Sequence, residues 1–350
     1  MKAFNFKKLS FVVILSVLFL NCFAIDIRYV DEGSYSFVSL SPDGETIAVV
    51  NEIGDLILFN ASTMQKIKVL NVYHNSKDRA EYVTFSPKGN YVASATMWGE
   101  IIIWDVKSGT EIKRIEKDVE YMTFSPDEKY LACVVSGRRG IILWDFFKDE
   151  KIYDIVKVKQ TKPKYYHRSR FGSSVRRIKL MRHSCVFRPL LRRYYFKGVR
   201  YGVPVFTPDG KRFAVANNKG KIGVWDVETG EKIETIKAHD KHVENIAFSR
   251  NGKYLAVAAD DCVRLWTTDK WETMKLRQKH SVEIETVSFD TDNNIVSASC
   301  SEIIKGSING DVIEIIPINQ KGYFQNSFFS VDSKMFIFTS IYQGLGVIDL

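Results

Sequence analysis

The pair of side chains best spaced for metal chemistry in this 350-residue chain is His239 and His242, which lie three residues apart in a loop-like stretch. A zinc site needs three or four ligands, and no third ligand is evident near them. His167 and His183 lie among lysines and arginines, whose positive charge disfavours a metal ion. The sequence therefore predicts no metal site.

Other catalytic arrangements are also missing from the sequence. It contains no Gly-x-Ser-x-Gly nucleophile elbow and no glycine-rich phosphate-binding loop. Aspartates and glutamates are numerous, but most fall at turn-like positions, so no acid–base pair stands out. We therefore predict a non-enzymatic protein with no catalytic residue and no cofactor.

The positive charge of the chain is concentrated in two segments. The formal net charge is +9, from 50 Lys and Arg against 41 Asp and Glu. Residues 156–200 contain 15 of the basic residues, residues 1–24 contain three, and neither segment has an acid. With those 18 removed from the 50, the rest of the chain has 32 basic residues against 41 acidic ones. Any inference from positive charge to a partner therefore rests on residues 156–200.

Residues 156–200 allow three interpretations. Basic and aromatic side chains are interleaved there, which suits phosphate contacts and stacking, so the segment is a candidate for binding a polyanion such as a cell-wall polymer, acidic lipid or glycan. It is otherwise a solvated loop that pairs with the acidic body, or a stretch translated in the wrong reading frame. The arginines that would contact a polyanion are Arg168, Arg170, Arg176, Arg177, Arg192 and Arg193.

The N-terminus has the pattern of a secretory signal peptide. Three lysines precede an apolar run at residues 11–20, and the small residue Ala24 follows. We expect cleavage after Ala24, which leaves residues 25–350 as one exported domain, secreted, periplasmic or at the cell surface. A lipid anchor on Cys22 is a second interpretation. Spanning a membrane takes about 20 apolar residues, more than this run offers, so we expect no transmembrane span in the mature chain. Export makes chromosomal nucleic acid an unexpected partner.

Four cysteines remain after such a cleavage, namely Cys133, Cys185, Cys262 and Cys300. None of them forms a C-x-x-C pair, which argues against metal ligation and favours buried small hydrophobic residues. A disulfide between two of them stays open in an oxidising compartment.

Seven segments of about forty residues align with one another. Each opens with an alternating apolar run that ends at a tight turn, such as Thr-Pro-Asp-Gly at 207–210. A second strand follows, then a third that often ends in Trp-Asp, then a short fourth. Four short strands per unit, with no helical periodicity between them, predict a β-propeller. The segments are 35–70, 80–115, 119–155, 201–236, 243–277, 282–316 and 323–350.

These motifs resemble the WD-repeat family over nearly all of the chain outside residues 1–24 and 156–200. The resemblance implies an all-β propeller and a structural role for the recurrent Trp, Asp and His residues. Repeats one, six and seven are degenerate, with Phe59-Asn60, Ile308-Asn309 and Ile348-Asp349 at the Trp-Asp position. The family's hydrogen-bonded tetrad is therefore expected only near the fifth repeat. The structural residues so implied are Trp104, Asp105, Trp144, Asp145, Trp225, Asp226, Trp266, Asp260 and His239.

The repeat spacing predicts seven four-stranded blades, with residues 156–200 as an insertion. An eighth, degenerate fourth blade at 156–200 is the alternative. The last repeat stops after its third strand, and the strand-like residues 25–30 are otherwise unassigned. We expect this N-terminal strand to complete the last blade and close the ring.

The resemblance also implies a ligand face formed by the loops between second and third strands and between successive repeats. Trp98, Arg138 and Arg139 fall in such loops, and Trp and Arg dominate interface hot spots. We predict an exported scaffold that binds an unknown protein partner through this face. Polyanion binding through residues 156–200 is one alternative, and a propeller enzyme, a hydrolase or lactonase-like protein, is another.

Overall fold

The chain folds as a ring of seven antiparallel blades with four strands each. The computed structural model describes residues 27–30, 35–51, 54–70, 80–96, 99–135, 140–155, 202–240, 242–274, 279–318, 324–340 and 344–350. These residues form 28 β-strands and no helix. The described part of the chain therefore contains no helix long and apolar enough to cross a membrane. The predicted seven-bladed β-propeller is confirmed.

The strands follow the repeats closely. Blades one to three contain β2 (Tyr35–Leu40), β3 (Thr46–Asn51), β4 (Leu56–Asn60), β5 (Lys66–Leu70), β6 (Ala80–Phe85), β7 (Tyr91–Thr96), β8 (Glu100–Asp105), β9 (Glu111–Glu116), β10 (Val119–Phe124), β11 (Tyr130–Val135), β12 (Gly140–Asp145) and β13 (Glu150–Asp154). Blades four to six contain β14 (Val205–Phe206), β15 (Arg212–Ala216), β16 (Lys221–Asp226), β17 (Lys232–Lys237), β18 (Asn245–Phe248), β19 (Tyr254–Ala259), β20 (Cys262–Thr267), β21 (Thr273–Met274), β22 (Ile284–Phe289), β23 (Ile295–Ser299), β24 (Glu302–Gly306) and β25 (Val312–Pro317). Blade seven contains β26 (Phe324–Phe329), β27 (Met335–Ser340), β28 (Gly344–Asp349) and β1 (Ile27–Val30).

Strand order within the blades defines two faces of the ring. The first strand of each blade lies nearest the axis, and the fourth lies at the rim. Because the strands are antiparallel, the first-to-second and third-to-fourth turns share one face, the turn face. The second-to-third and fourth-to-first connections share the opposite face, the loop face.

Apolar side chains fill all seven junctions between neighbouring blades. Second and third strands are buried almost throughout because both of their faces pack against other blades. Blade three packs directly on blade four, where Ala132 and Leu143 meet Phe213 and Trp225. This contact leaves no place in the ring for an eighth blade between them, so the eight-bladed alternative for residues 156–200 is wrong.

The N-terminal strand closes the ring, as predicted. β1 pairs antiparallel with β28, so that Ile27 lies opposite Ile348. The Arg28 guanidinium donates to both carboxylate oxygens of Asp349, at 2.8 and 3.0 Å, and to the Ala61 carbonyl of blade one at 3.0 Å. Arg28 therefore joins the completed seventh blade to the first.

The first-to-second turn is built in a similar way in all seven blades, although that of blade six is one residue shorter. A Ser or Thr hydroxyl usually caps it, as when Ser41 Oγ accepts from the Thr46 N–H at 2.8 Å. The fourth residue of each turn has positive φ, between 56° and 77°. Glycine meets that requirement at least cost, and it occupies four of the seven positions. The seven residues are Gly44, Gly89, Glu128, Gly210, Gly252, Asn293 and Ser333.

Glu128 is one of three departures from glycine, and its side chain makes compensating hydrogen bonds. Its buried carboxylate reaches blade two, where Oε1 accepts from the Lys88 N–H at 2.8 Å and Oε2 accepts from Asn90 Nδ2 at 3.3 Å. A side chain at this strained position therefore links two blades across the turn face.

Candidate functional site on the loop face

The described part of the loop face belongs mainly to blades four, five and six. The predicted contact residues Trp98, Arg138 and Arg139 lie outside the described residues, as do Cys22, Cys185 and residues 156–200. The arginines proposed for polyanion contacts in that segment therefore have no structural account. The geometry below concerns the sector between residues 217 and 302.

Three histidines of this sector each lie near a carboxylate. His239 Nε2 is 3.7 Å from Asp260 Oδ2, and His242 Nε2 is 3.6 Å from Glu244 Oε1. His280 Nδ1 is 3.7 Å from Glu302 Oε1. Within the described residues, no three His, Cys, Asp or Glu side chains converge well enough to hold a metal ion.

Blade five holds the residues expected for the family's tetrad, but only part of its hydrogen bonding. His239 on the fourth-to-first loop lies beside Asp260 on the second-to-third loop. Trp266 is 5% exposed in the third strand, where it packs in the core between blades four and five. The second strand β19 reads Tyr-Leu-Ala-Val-Ala-Ala and has no serine or threonine. Blade five therefore keeps the acid, the histidine and the indole without the usual serine or threonine.

Blade six has a hydrogen bond between a loop histidine and a serine of the second strand, a pair that blade five lacks. His280 Nε2 lies 2.8 Å from Ser297 Oγ, and both residues are buried. Burial lowers the pKa of His280 to about 4, against a smaller opposing effect of Glu302. The imidazole is therefore neutral near pH 7. Sequence reasoning missed Ser297. A loop histidine before a repeat, followed by a serine in the second strand of that repeat, could have indicated this hydrogen bond.

The order Ser297, His280, Glu302 matches a nucleophile, a base and an acid in type, but the site cannot act on a substrate. Ser297 is 0% exposed, and a substrate carbonyl needs direct access to the serine oxygen. Glu302 Oε1 instead accepts from Ser281 N–H at 2.7 Å and from Ser281 Oγ at 2.9 Å. This cluster holds two connections of blade six together.

The part of the surface around these histidines that the structure describes is rich in carboxylates. Two of its lysines are already engaged, since Lys279 Nζ lies 3.0 Å from Asp261 Oδ2 and Lys237 Nζ lies 2.8 Å from Asp240 Oδ1. Among the described residues of this sector of the loop face, carboxylates outnumber lysines. The acidic residues are Asp240, Glu244, Asp260, Asp261, Glu283 and Glu302.

The Trp-Asp residues lie at the end of the third strand and act in packing and in the turn. Trp225 stacks on Phe213 with ring centroids 5.4 Å apart. Asp105 Oδ1 accepts from the Ser108 N–H at 2.6 Å and from Ser108 Oγ at 2.8 Å, and these bonds lower the pKa of Asp105. Asp145 and Asp226 accept backbone N–H bonds in the equivalent turns.

Two of these tryptophans make no hydrogen bond through the indole within the described residues, although Lys117 Nζ lies over the Trp144 ring, 5.4 Å from its centroid. The buried Nε1 atoms of Trp104 and Trp144 have no hydrogen-bond partner there, and neither has the buried Oγ of Ser94 in the second strand of blade two. Trp104 lies in the core between blades one and two, and Trp144 lies against the core between blades two and three. Apolar contact therefore anchors these indoles.

The assignment of Ile308-Asn309 to the Trp-Asp position of repeat six is wrong. Trp266 lies opposite Leu255 in blade five, and in blade six Gly306 lies opposite Ile295, the equivalent residue. Ile308 falls two residues later and packs against the core between blades five and six. Gly306-Ser307 therefore occupies the Trp-Asp position of blade six.

The misalignment has a physical source in two shortened turns. In blade six the Asp290 N–H donates to the Asn294 carbonyl, four residues on, and the Ser307 N–H donates to the Asp311 carbonyl, also four residues on. The equivalent bonds of blade five span five residues. Each turn that is one residue shorter shifts the alignment of blade six with the other repeats, but the pairing of its strands is kept.

The cysteines follow the prediction only in part. Cys133 is buried, and burial raises the pKa of its thiol to about 12. Cys262 and Cys300 are half-buried at the loop-face ends of blades five and six. Among the described residues, none of these three cysteines forms a disulfide.

Comparison with known proteins gives two family matches. A model described as "WD domain, G-beta repeat" matches residues 230–267, which run from the end of blade four through the third strand of blade five. This span contains His239, Asp260 and Trp266. A model described as "Eukaryotic translation initiation factor eIF2A" matches residues 20–142.

Curated relatives show the same repeat. WD repeat-containing protein 1 of Gallus gallus is 24% identical over 269 residues, covering 68% of this chain and 41% of the relative. The Bos taurus protein of that name is 25% identical over 256 residues, covering 66% and 40%. Pre-mRNA-processing factor 19 homolog 2 of Arabidopsis thaliana is 32% identical over 107 residues, covering 31% and 20%. The chain thus spans about two fifths of the length of the first two relatives.

Seven four-stranded blades, a recurrent capped turn, a recurrent Trp-Asp and these matches lead to one family. Together they support a WD-repeat β-propeller family for this chain.

Proposed function

We propose that the protein is a non-enzymatic scaffold that binds a protein partner through its loop face. The observation that carries the proposal is the excess of carboxylates among the described loop-face residues of blades five and six, where exposed and half-buried carboxylates surround histidines that serve the fold. Long-range attraction favours a basic partner surface, and rim charges act mainly on the rate and specificity of association. The buried Ser297 and His280 argue against a hydrolase at this position.

Charge reversal on one face tests this proposal. Asp240 and Glu283 are exposed on the loop face, so Asp240→Lys with Glu283→Lys should abolish retention of a partner from an extract of the source organism. Asp149 is exposed on the turn face, and Asp149→Lys serves as the matched control. Equal retention of the same partner by both variants would place the contact elsewhere. Retention by the wild-type protein should fall as salt rises.

We also propose that the protein is exported. The motivation is the basic, apolar and small-residue pattern of residues 1–24. Sequencing the N-terminus of the native protein should find Ile25 as the first residue. A native chain that still begins at Met1 would contradict cleavage.

Polyanion binding through residues 156–200 is a second candidate, because 15 basic and no acidic residues occur there. The full chain should elute from a polyanion column at higher salt than a variant that lacks 156–200. Unchanged elution would remove this candidate. Peptides from 156–200 in the digest of the native protein would eliminate a reading-frame error.

A further inference from the structure

The outer strand of blade six exposes an unusual amount of apolar side chain. Val312 is 46% exposed in β25, Ile313 is 53% exposed and Ile315 is 54% exposed. Glu314 is the strand's one charged residue. Edge strands that are long, apolar and nearly uncharged are templates for pairing with another strand.

The outer strands β5, β9 and β17 carry more charge. β9 reads Glu-Ile-Lys-Arg-Ile-Glu, and Arg114 within it pairs with Glu100 and Glu111 at 2.8 Å each. β17 alternates lysines and a glutamate with isoleucine and threonine. β5 has Lys66 and Lys68, and Lys68 Nζ donates to the Ser108 carbonyl of blade two at 2.9 Å. These charges oppose pairing at those edges, and β25 lacks that protection.

Backbone hydrogen bonds show which groups of β25 remain open. The Ile318 N–H donates to the Ser301 carbonyl at 2.8 Å, in phase with the ladder between β24 and β25. Since backbone groups alternate in direction along a strand, the N–H and C=O of Ile315 face outward from the sheet. Pro317 also faces outward but has no N–H, so it limits the open edge to a few residues.

The charge of this edge selects the chemistry of an occupant. Lys305 lies opposite Glu314, yet its Nζ is 2.7 Å from Asp290 Oδ2. Within the described residues, Glu314 has no cation within ion-pairing distance, and Asp311 adds a second negative charge at the start of the strand. An added strand that places Lys or Arg opposite Glu314 gains both ladder bonds and charge complementarity.

We propose that β25 is a second docking site, at the rim of the ring, for an extended segment of a partner protein that alternates β-branched residues with Lys or Arg. The segment adds to blade six as a fifth strand. Main-chain hydrogen bonds then supply affinity, and the apolar side chains with Glu314 supply selectivity. This site is separate from the loop face.

Peptide binding to the full chain tests the proposal. The probe is a fluorescent seven-residue peptide that alternates valine with lysine and threonine, titrated by anisotropy. Ile313→Lys with Ile315→Lys should weaken binding by about tenfold or more, because like charges then face the peptide. Ile67→Lys with Val69→Lys in β5 is the matched control. Those two residues are similarly exposed, at 53% and 42%, and have the same spacing.

Three further measurements distinguish strand addition from nonspecific adhesion of the peptide. A peptide with N-methyl groups on alternate amides should bind weakly, since it lacks the donors for the ladder. Glu314→Lys should reverse the preference from the lysine peptide to one with glutamate in its place. All these positions are exposed or at the rim, so circular dichroism and thermal midpoints should stay near those of the wild type.

Several outcomes would overturn the proposal. Equal binding by the β25 and β5 double variants would do so, as would equal binding of the N-methylated peptide. Sedimentation showing that the wild-type protein self-associates through β25 without binding the peptide would identify a second copy as the occupant instead. The loop-face variant Asp240→Lys with Glu283→Lys should still bind the peptide, so failure of either proposal is distinguishable from failure of the other.

Discussion

Blades five and six divide between them the features that a strong repeat of this family combines. Blade five keeps Trp266 in the core and His239 beside Asp260, but its second strand has no serine or threonine. Blade six has a glycine where the indole would be, yet it keeps the buried bond between His280 and Ser297. Both blades have four paired strands. Packing in one blade and a polar bond in the other therefore support the same architecture.

The largest loss of stability should come from removing the Trp266 indole of blade five. Trp266→Ala removes a buried side chain and leaves a cavity between blades four and five, so we expect a loss of about 3–5 kcal/mol in the free energy of unfolding. Chemical denaturation measures it. Trp144, which is half-buried, should lose less on truncation to alanine. Equal losses at both positions would mean that burial does not set the contribution of the indole.

Acid should destabilise blade six through His280. The pKa of His280 is about 4 in the folded chain and about 6.5 in the unfolded chain, so the unfolded chain binds the proton more tightly. Stability from this group is complete above pH 6.5 and falls as the pH drops to 4, by about 3 kcal/mol in total. Denaturant unfolding at several pH values should show this loss for the wild type. The difference between wild type and His280→Gln should isolate it, and a constant difference across the window would contradict the assignment.

The hydrogen bond of blade six should have a moderate effect. Ser297→Ala leaves the His280 Nε2 atom buried without its partner, which should cost about 1–2 kcal/mol. Ser94 is the matched control because it occupies the equivalent place in blade two and is buried without a hydrogen-bond partner among the described residues. Ser94→Ala should be neutral or slightly stabilising. Equal losses from the two substitutions would show that the bond to His280 contributes nothing.

The smallest effect should come from the acid of blade five. Asp260 Oδ2 and His239 Nε2 are 3.7 Å apart, and the aspartate side chain is 27% exposed. We expect Asp260→Asn to change the free energy of unfolding by less than about 1 kcal/mol. A loss as large as that of Ser297→Ala would show that blade five depends on this pair as much as blade six depends on its bond.

Most of the architecture could be predicted because local chemistry repeats along the chain. The turn at 41–44 and its six equivalents need a capping side chain and a residue that accepts positive φ, and those needs are visible in the sequence. The closing strand was also predictable, because one repeat ended a strand short. The register of blade six was not, since two turns each lost one residue and the sequence offered no tryptophan to reset the alignment.

The candidate site was harder to predict than the fold. His239 and Asp260 occur at positions that the family pattern makes recognisable. The partner of His280 lies 17 residues further along the chain, in the second strand of blade six. The acidic character of the sector also depends on which loops share a face and which lysines are already paired. Trp98, Arg138, Arg139 and the arginines of 156–200 remain predictions.

The sequence by itself determined the repeat, the four-stranded unit and the strand available for closure, because each depends on residues close together along the chain. Only the tertiary structure decided the number of blades, the place of Gly306 and the exposure of β25. Blade count depends on whether blade three meets blade four, a contact between residues about 80 positions apart. Exposure depends on what covers a strand, and that is a property of the closed ring.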